Sequence, residues 1–249
     1  AEPELRLAGV RINPATNGPS RESYYTGLVL KALAGGEERR VTGFPAGARL
    51  TAVTWSRDSR HLIVVVNQGS GLQLWAVDAT TAAARRLTDR ALNGVLEEPT
   101  WVDDTTIVAS LIPAGRGTAP TAPSVPSGPV VQENLSGKRP ARTYADMLAN
   151  THDEALFDHY ATSELALVSL DGQVTPLGLR GIFGNALPSP DGRYLLVTAW
   201  TKPYSYLVPV TRFPTTISVH DRTGRRVHEV ATLPLAENIP IPTGSVRTG

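Results

Sequence analysis

The chain has 249 residues, 41% of them apolar, enough to bury a substantial core as one large all-β domain or two average ones. Its 24 basic and 23 acidic residues are mixed along the whole length for a net charge of +1, which leaves no basic face for nucleic acid or an anionic membrane. The absence of cysteine excludes a disulfide framework, a thiolate metal site and a cysteine nucleophile, and no apolar run approaches the roughly 18 residues that membrane insertion requires.

At the amino terminus, Ala1-Glu2-Pro3-Glu4 shows neither a basic nor an apolar leader region. A chain beginning at Ala1 and free of cysteine fits an exported bacterial protein whose signal peptide has been removed, which favours a periplasmic or secreted location, although a trimmed chain or an organelle import product would look the same. Beyond it, runs rich in Val, Leu, Ile, Thr and aromatics recur between Gly, Pro, Asp and Asn, and almost none has helical period. That pattern predicts many short antiparallel strands.

A weak internal repeat runs through these strands. Thr54-Trp55-Ser56-Arg57-Asp58-Ser59-Arg60-His61-Leu62-Ile63 is echoed by Leu187-Pro188-Ser189-Pro190-Asp191-Gly192-Arg193-Tyr194-Leu195-Leu196, and more loosely by the stretch from Thr100-Trp101-Val102-Asp103 onward. Each reads as a strand end, a tight turn and a buried strand, with Asp capping the bend and Gly192 free to take positive φ. Trp55 and Trp101 lie 46 residues apart, near the period of about 40–45 residues of a four-stranded propeller blade. The fold predicted is therefore all-β, an incomplete β-propeller with blades over residues 6–42, 50–88, 97–176 and 184–230, and with Leu233 leading toward a fifth.

The third blade carries an insertion at 113–158. It opens with a Pro/Gly/Ser/Ala-rich stretch, Pro113 to Pro129, expected to be extended, and then places Tyr144, Met147, Leu148, Leu156 and Phe157 at spacings that predict one or two short helical turns, with Thr143 as the N-cap and Asp146 three positions on. His152-Asp153-Glu154 and Asp158-His159 gather metal-ligand types without the tight spacing of a zinc motif, and read as surface side chains or caps. Asn134-Leu135-Ser136 fits a glycosylation sequon, which matters only in a eukaryotic secretory pathway.

No Gly-x-Ser-x-Gly elbow occurs, so no serine here is placed as a hydrolase nucleophile; Gly69-Ser70-Gly71 reads as a hairpin turn. Nothing in the sequence asks for a metal or other cofactor. The candidate binding segment is Lys202-Pro203-Tyr204-Ser205-Tyr206-Leu207-Val208-Pro209-Val210-Thr211-Arg212-Phe213-Pro214, a Pro-punctuated loop between strands. Lys202 and Arg212 with the phenols of Tyr204 and Tyr206 read in two ways: as a group holding a carboxylate by charge-assisted hydrogen bonds, or as a structural loop whose tyrosines pack the blade.

Several stretches, taken in order, resemble the glutamyl endopeptidases, a branch of the prolyl oligopeptidase family of serine peptidases. They are Leu7-Ala8-Gly9-Val10-Arg11-Ile12, Ser23-Tyr24-Tyr25-Thr26-Gly27, Gly43-Phe44-Pro45-Ala46-Gly47-Ala48, Val53-Thr54-Trp55-Ser56, Trp101-Val102-Asp103, Leu156-Phe157-Asp158-His159-Tyr160-Ala161-Thr162-Ser163, the 202–214 loop, and Leu233-Pro234-Leu235-Ala236-Glu237-Asn238-Ile239-Pro240-Ile241. The resemblance implies a propeller of about seven blades ahead of an α/β-hydrolase domain that carries a Ser-Asp-His triad and cleaves after glutamate. It implies no catalytic residue among these 249, a substrate-gating role for the propeller, peptide substrates, and the remaining blades and hydrolase domain of the same protein as partners. A buried unpaired carboxylate is costly, so a cation is needed near the glutamate side chain, and Lys202 and Arg212, with Tyr204 and Tyr206, are expected to line the face turned toward the hydrolase domain and contribute to binding acidic substrate. Two other readings are a non-catalytic propeller that binds protein partners and a periplasmic accessory protein sharing the Ser-Pro-Asp-Gly turn.

Overall fold

The run His61-Leu62-Ile63-Val64-Val65-Val66-Asn67 has no polar face, so a strand formed there must be covered on both sides. In a computed structural model of the chain, which describes residues 2–122 and 144–237, alternation along this strand sends Leu62, Val64 and Val66 into one apolar cluster and Ile63 and Val65 into another. Fully burying each such side chain stabilises the fold by about 1.5–3 kcal/mol.

In chain order, β1 (Leu5–Leu7), β2 (Val10–Asn13) and β3 (Gly18–Pro19) form one small sheet, and β4 (Val29–Leu30) and β5 (Arg39–Arg40) a second. β6 (Arg49–Trp55), β7 (His61–Asn67), β8 (Leu72–Asp78) and β9 (Ala83–Arg86) form a four-stranded antiparallel meander. β10 (Thr100–Trp101), β11 (Thr106–Leu111), β12 (Ser163–Ser169) and β13 (Val174–Pro188) form the next, and β13 with β14 (Tyr194–Trp200), β15 (Thr215–Asp221) and β16 (Arg226–Leu233) a third.

The second and third meanders share β13. Its first half pairs with β12 up to Gly181, and its second half pairs with β14 from Ile182 onward. One continuous strand thus closes one unit and opens the next. Gly184 lies within it because a Cβ there would sit 2.5 Å from the indole ring of Trp200 on β14.

The meanders stack face to face. Leu74 and Ala76 of the first meet Trp101, Ile107, Ala109, Ala166 and Val168 of the second, and Val108, Leu165 and Leu167 of the second meet Ala186, Leu195 and Val197 of the third. The indole N–H of Trp101 donates to the Thr54 carbonyl at 3.1 Å, tying the two inner strands together. The architecture is all-β, an incomplete β-propeller. Its first unit, read from sequence as a blade over 6–42, consists of the two small sheets, hooked to β6 by reciprocal backbone hydrogen bonds of 2.8 Å between Tyr25 and Leu50.

The repeated turns share one chemistry. Ser56 Oγ donates to Asp58 Oδ1 at 2.7 Å while that oxygen accepts from the Arg60 amide, and Ser189, Asp191 and Arg193 repeat the arrangement. Asp103 Oδ1 accepts from the Thr105 amide at 2.9 Å in the second meander. Ser59 and Gly192 take the left-handed backbone at φ 59° and 69°. Asp171 and Asp221 cap the last hairpins of the second and third meanders in the same way.

The insertion departs from expectation. The expected cap Thr143, the sequon at Asn134 and the later part of the Pro-rich stretch lie outside the described residues. The helix is α1 (Thr151–Ala161), 11 residues long, and its cap is Asn150, whose side-chain oxygen accepts from the Asp153 amide at 2.9 Å. Asp153 in turn accepts from the Ala149 amide at 2.8 Å. Phe157, Tyr160 and Ala161 are buried against Leu7, Ile12, Leu148, Val208, Val210 and Phe213. Among the described residues, no helix is long and apolar enough to cross a membrane.

Candidate carboxylate-binding site

The loop from Trp200 to Thr215 leaves the sheet on the same side as the insertion and is pinned by its apolar residues. Val208, Val210 and Phe213 are buried, the Val210 amide donates to the Ala8 carbonyl at 2.8 Å, and a short 3-10 turn covers Val210–Arg212. Tyr204 stacks on Phe213 with ring centres 5.1 Å apart, and Phe157 of α1 stands edge-on to both. This aromatic trio fixes where the Tyr204 hydroxyl points.

That hydroxyl donates to Asp158 Oδ1, and Lys202 Nζ lies 2.8 Å from Asp158 Oδ2 and 5.1 Å from the centre of the Tyr204 ring. Tyr206 donates to Glu154 Oε1 at 2.7 Å. Glu154 and Asp158 are four residues apart, so they share a face of α1 and meet the loop together. The guanidinium of Arg212 donates to the Ala236 carbonyl at 3.3 Å and lies over the Tyr144 ring, while the Ala236 amide returns a bond to the Arg212 carbonyl.

The electrostatics follow from these contacts. Burial, and then the bond to Asp158, raises the Tyr204 phenol far above its usual range. The bond to Glu154 raises Tyr206 to about 12, and the bond to Asp158 raises Lys202. At neutral pH the loop therefore presents neutral phenol donors and a cation, a set suited to holding carboxylates.

The structure places Arg212 against Ala236 and Tyr144 and brings Lys202, Tyr204 and Tyr206 onto one face of α1. Glu154 and Asp158, the carboxylates they hold, were read from sequence only as surface or capping groups. Their i,i+4 spacing, facing a Lys-Pro-Tyr-Ser-Tyr segment, is the signal that points to them. Among the described residues, no group of three or more His, Asp or Glu side chains is arranged to hold a metal ion.

No protein-family model matches the chain. It is 43% identical over 263 aligned positions to a protein of Oryza sativa subsp. japonica named probable glutamyl endopeptidase, chloroplastic, and 42% identical over 262 to the Arabidopsis thaliana protein of the same name. In both comparisons the whole of this chain is matched, and it spans 28% and 27% of the length of those relatives. Among solved structures it is similar to a prolyl endopeptidase, at 13% identity and a TM-score of 0.49, over 92% of this chain and 29% of that one. Along its whole length, then, the chain is similar to these two plant proteins named probable glutamyl endopeptidase.

Proposed function

We propose that this chain is the substrate-gating propeller portion of a serine-type endopeptidase that hydrolyses peptide bonds after glutamate, with the catalytic triad outside these 249 residues. The observation that carries the reading is 43% identity along the whole chain to a protein named glutamyl endopeptidase. The blade limits 6–42, 50–88, 97–176 and 184–230, the further blades and the α/β-hydrolase domain belong to the same proposal, as do the peptide substrates.

Within it, Lys202, Tyr204 and Tyr206 contribute to binding the acidic side chain of the substrate, and Arg212 contributes from the neighbouring segment. The support is chemical: Lys202 and Tyr204 already seat one carboxylate, that of Asp158, and Tyr206 seats another, that of Glu154. Donors that hold an internal carboxylate by charge-assisted bonds have the geometry to hold an external one.

The test is an assay of the full-length protein on paired peptides with Glu or Gln before the scissile bond, with a serine-directed phosphonate as control. Phosphonate-sensitive cleavage favouring Glu is expected, and Lys202→Ala and Arg212→Ala should each lower that preference several-fold, in line with the loss of a charge-assisted hydrogen bond. Absence of any phosphonate-sensitive cleavage would overturn the enzymatic reading; an unchanged preference in both variants would remove these residues from it.

A further inference from the structure

We infer that Asp158 and Glu154 are specificity-setting residues: as internal carboxylates they occupy the donors that an acidic peptide side chain uses, so that substrate binding at this loop is an exchange of one carboxylate for another. The inference rests on the proposed role of Lys202, Tyr204 and Tyr206 in binding acidic substrate.

Three observations carry it. Both carboxylates project from one face of α1, and each meets a different part of the cluster, Asp158 on Lys202 and Tyr204 and Glu154 on Tyr206. The Lys202–Asp158 pair is open to solvent, with the side chains 58% and 38% exposed, so an external carboxylate can reach the cation, and an exposed ion pair holds its partner only weakly. The body of the helix, in contrast, is fixed: Phe157 and Ala161 are buried at 0% and 1% exposure.

Exchange thus needs only rotation of side chains about a stationary helix, chiefly the long flexible stem of Lys202. Charge works in the same direction. Two internal carboxylates face one ammonium group, so an arriving third carboxylate is repelled until Asp158 gives up its place. The internal acids therefore weaken binding of acidic substrates and leave uncharged ones untouched.

The experiment measures kcat/KM of the full-length protein for matched Glu and Gln peptides in Asp158→Asn, in Glu154→Gln/Asp158→Asn and in Lys202→Ala. Both amide substitutions keep an oxygen to accept from the phenols, so the loop retains its anchors. The double variant is expected to raise the Glu-to-Gln ratio about threefold through a lower KM for the Glu peptide, with a smaller rise in Asp158→Asn alone, whereas Lys202→Ala lowers the ratio. A purely structural role would change both peptides alike and leave the ratio where it was. If Lys202→Ala lowers the ratio and neither amide variant raises it, the exchange is overturned and the binding role of Lys202 stands. If no variant moves the ratio, the binding role itself falls, and the exchange falls with it.

Discussion

Tyr206 gives its phenol proton to Glu154 in a bond of 2.7 Å, which raises the phenol to about 12. A raised phenol pKa means that the folded state keeps the proton longer than the unfolded chain does. The contribution to stability is whole below the ordinary tyrosine pKa of about 10 and is lost as pH rises through about 12. An ultraviolet difference titration of the full-length protein, wild type minus Tyr206→Phe, should place this midpoint near 12, and Glu154→Gln should bring it back toward 10. A wild-type midpoint already near 10 would mean that the bond does not persist in solution. Lys202, Tyr204 and Tyr206 stand out in the sequence because prolines punctuate their loop and cations lie at its two ends. Their partners do not, since they lie 46 and 52 residues earlier, and only the folding of the insertion back onto the loop brings them near.

At the scale of the element, α1 shows how two starting signals compete. Thr143 with Asp146 and Asn150 with Asp153 have the same three-residue spacing, and the pattern alone does not choose between them. The helix starts after Asn150, and Asp146 ahead of it sits at φ 64° and pairs with Arg11 at 2.7 Å. Asn150→Ala should lower the opening free energy of α1 by about 1 kcal/mol, read as faster hydrogen exchange of its amides in the full-length protein. Phe157→Ala, which empties the centre of the aromatic trio, should cost about 3–5 kcal/mol by the same measure and release the 202–214 loop with the helix. Equal exchange in α1 and loop across both variants would show that the two elements are not coupled. Elsewhere the strands were readable from short apolar runs bounded by turn residues, as in β7. The run through β13 was not, because Gly178, Gly181 and Gly184 look like breakers in a sequence, whereas Gly184 serves close packing against Trp200.

Across the whole molecule, the meanders are joined by apolar faces and also by their turns. The Asp58 amide donates to Asp104 Oδ1 at 3.0 Å between the first and second meanders, and Arg222 of the third donates to Asp103 of the second at 2.6 Å. Burial opposes ionisation of Asp103, but the bonds from Arg222, Thr105 and Thr106 outweigh it and lower the carboxyl from 3.8 to about 2. The hydrogen bond from Thr223, opposed by burial and aided by Arg225, lowers Asp221 to about 2 as well, and Asp58, Asp78, Asp171 and Asp191 are lowered by similar turn hydrogen bonds. A carboxyl lowered in the folded state stabilises it fully above the unfolded pKa, and that stabilisation is lost as pH falls toward the folded one. The loss therefore falls between about pH 4 and pH 2 and is shared by turns in all three meanders. The full-length protein should lose stability steeply across that window. Arg222→Ala, which frees Asp103 to titrate nearer its ordinary value, should move the acid-unfolding midpoint upward, followed by tryptophan fluorescence. Because Arg222 crosses from one meander to the next, the same variant should loosen their contact at neutral pH, seen as easier proteolysis between them. An acid midpoint identical to that of the wild type would show that the interface is held by its apolar faces, Val108, Leu165 and Leu167 against Ala186, Leu195 and Val197, without help from the turns.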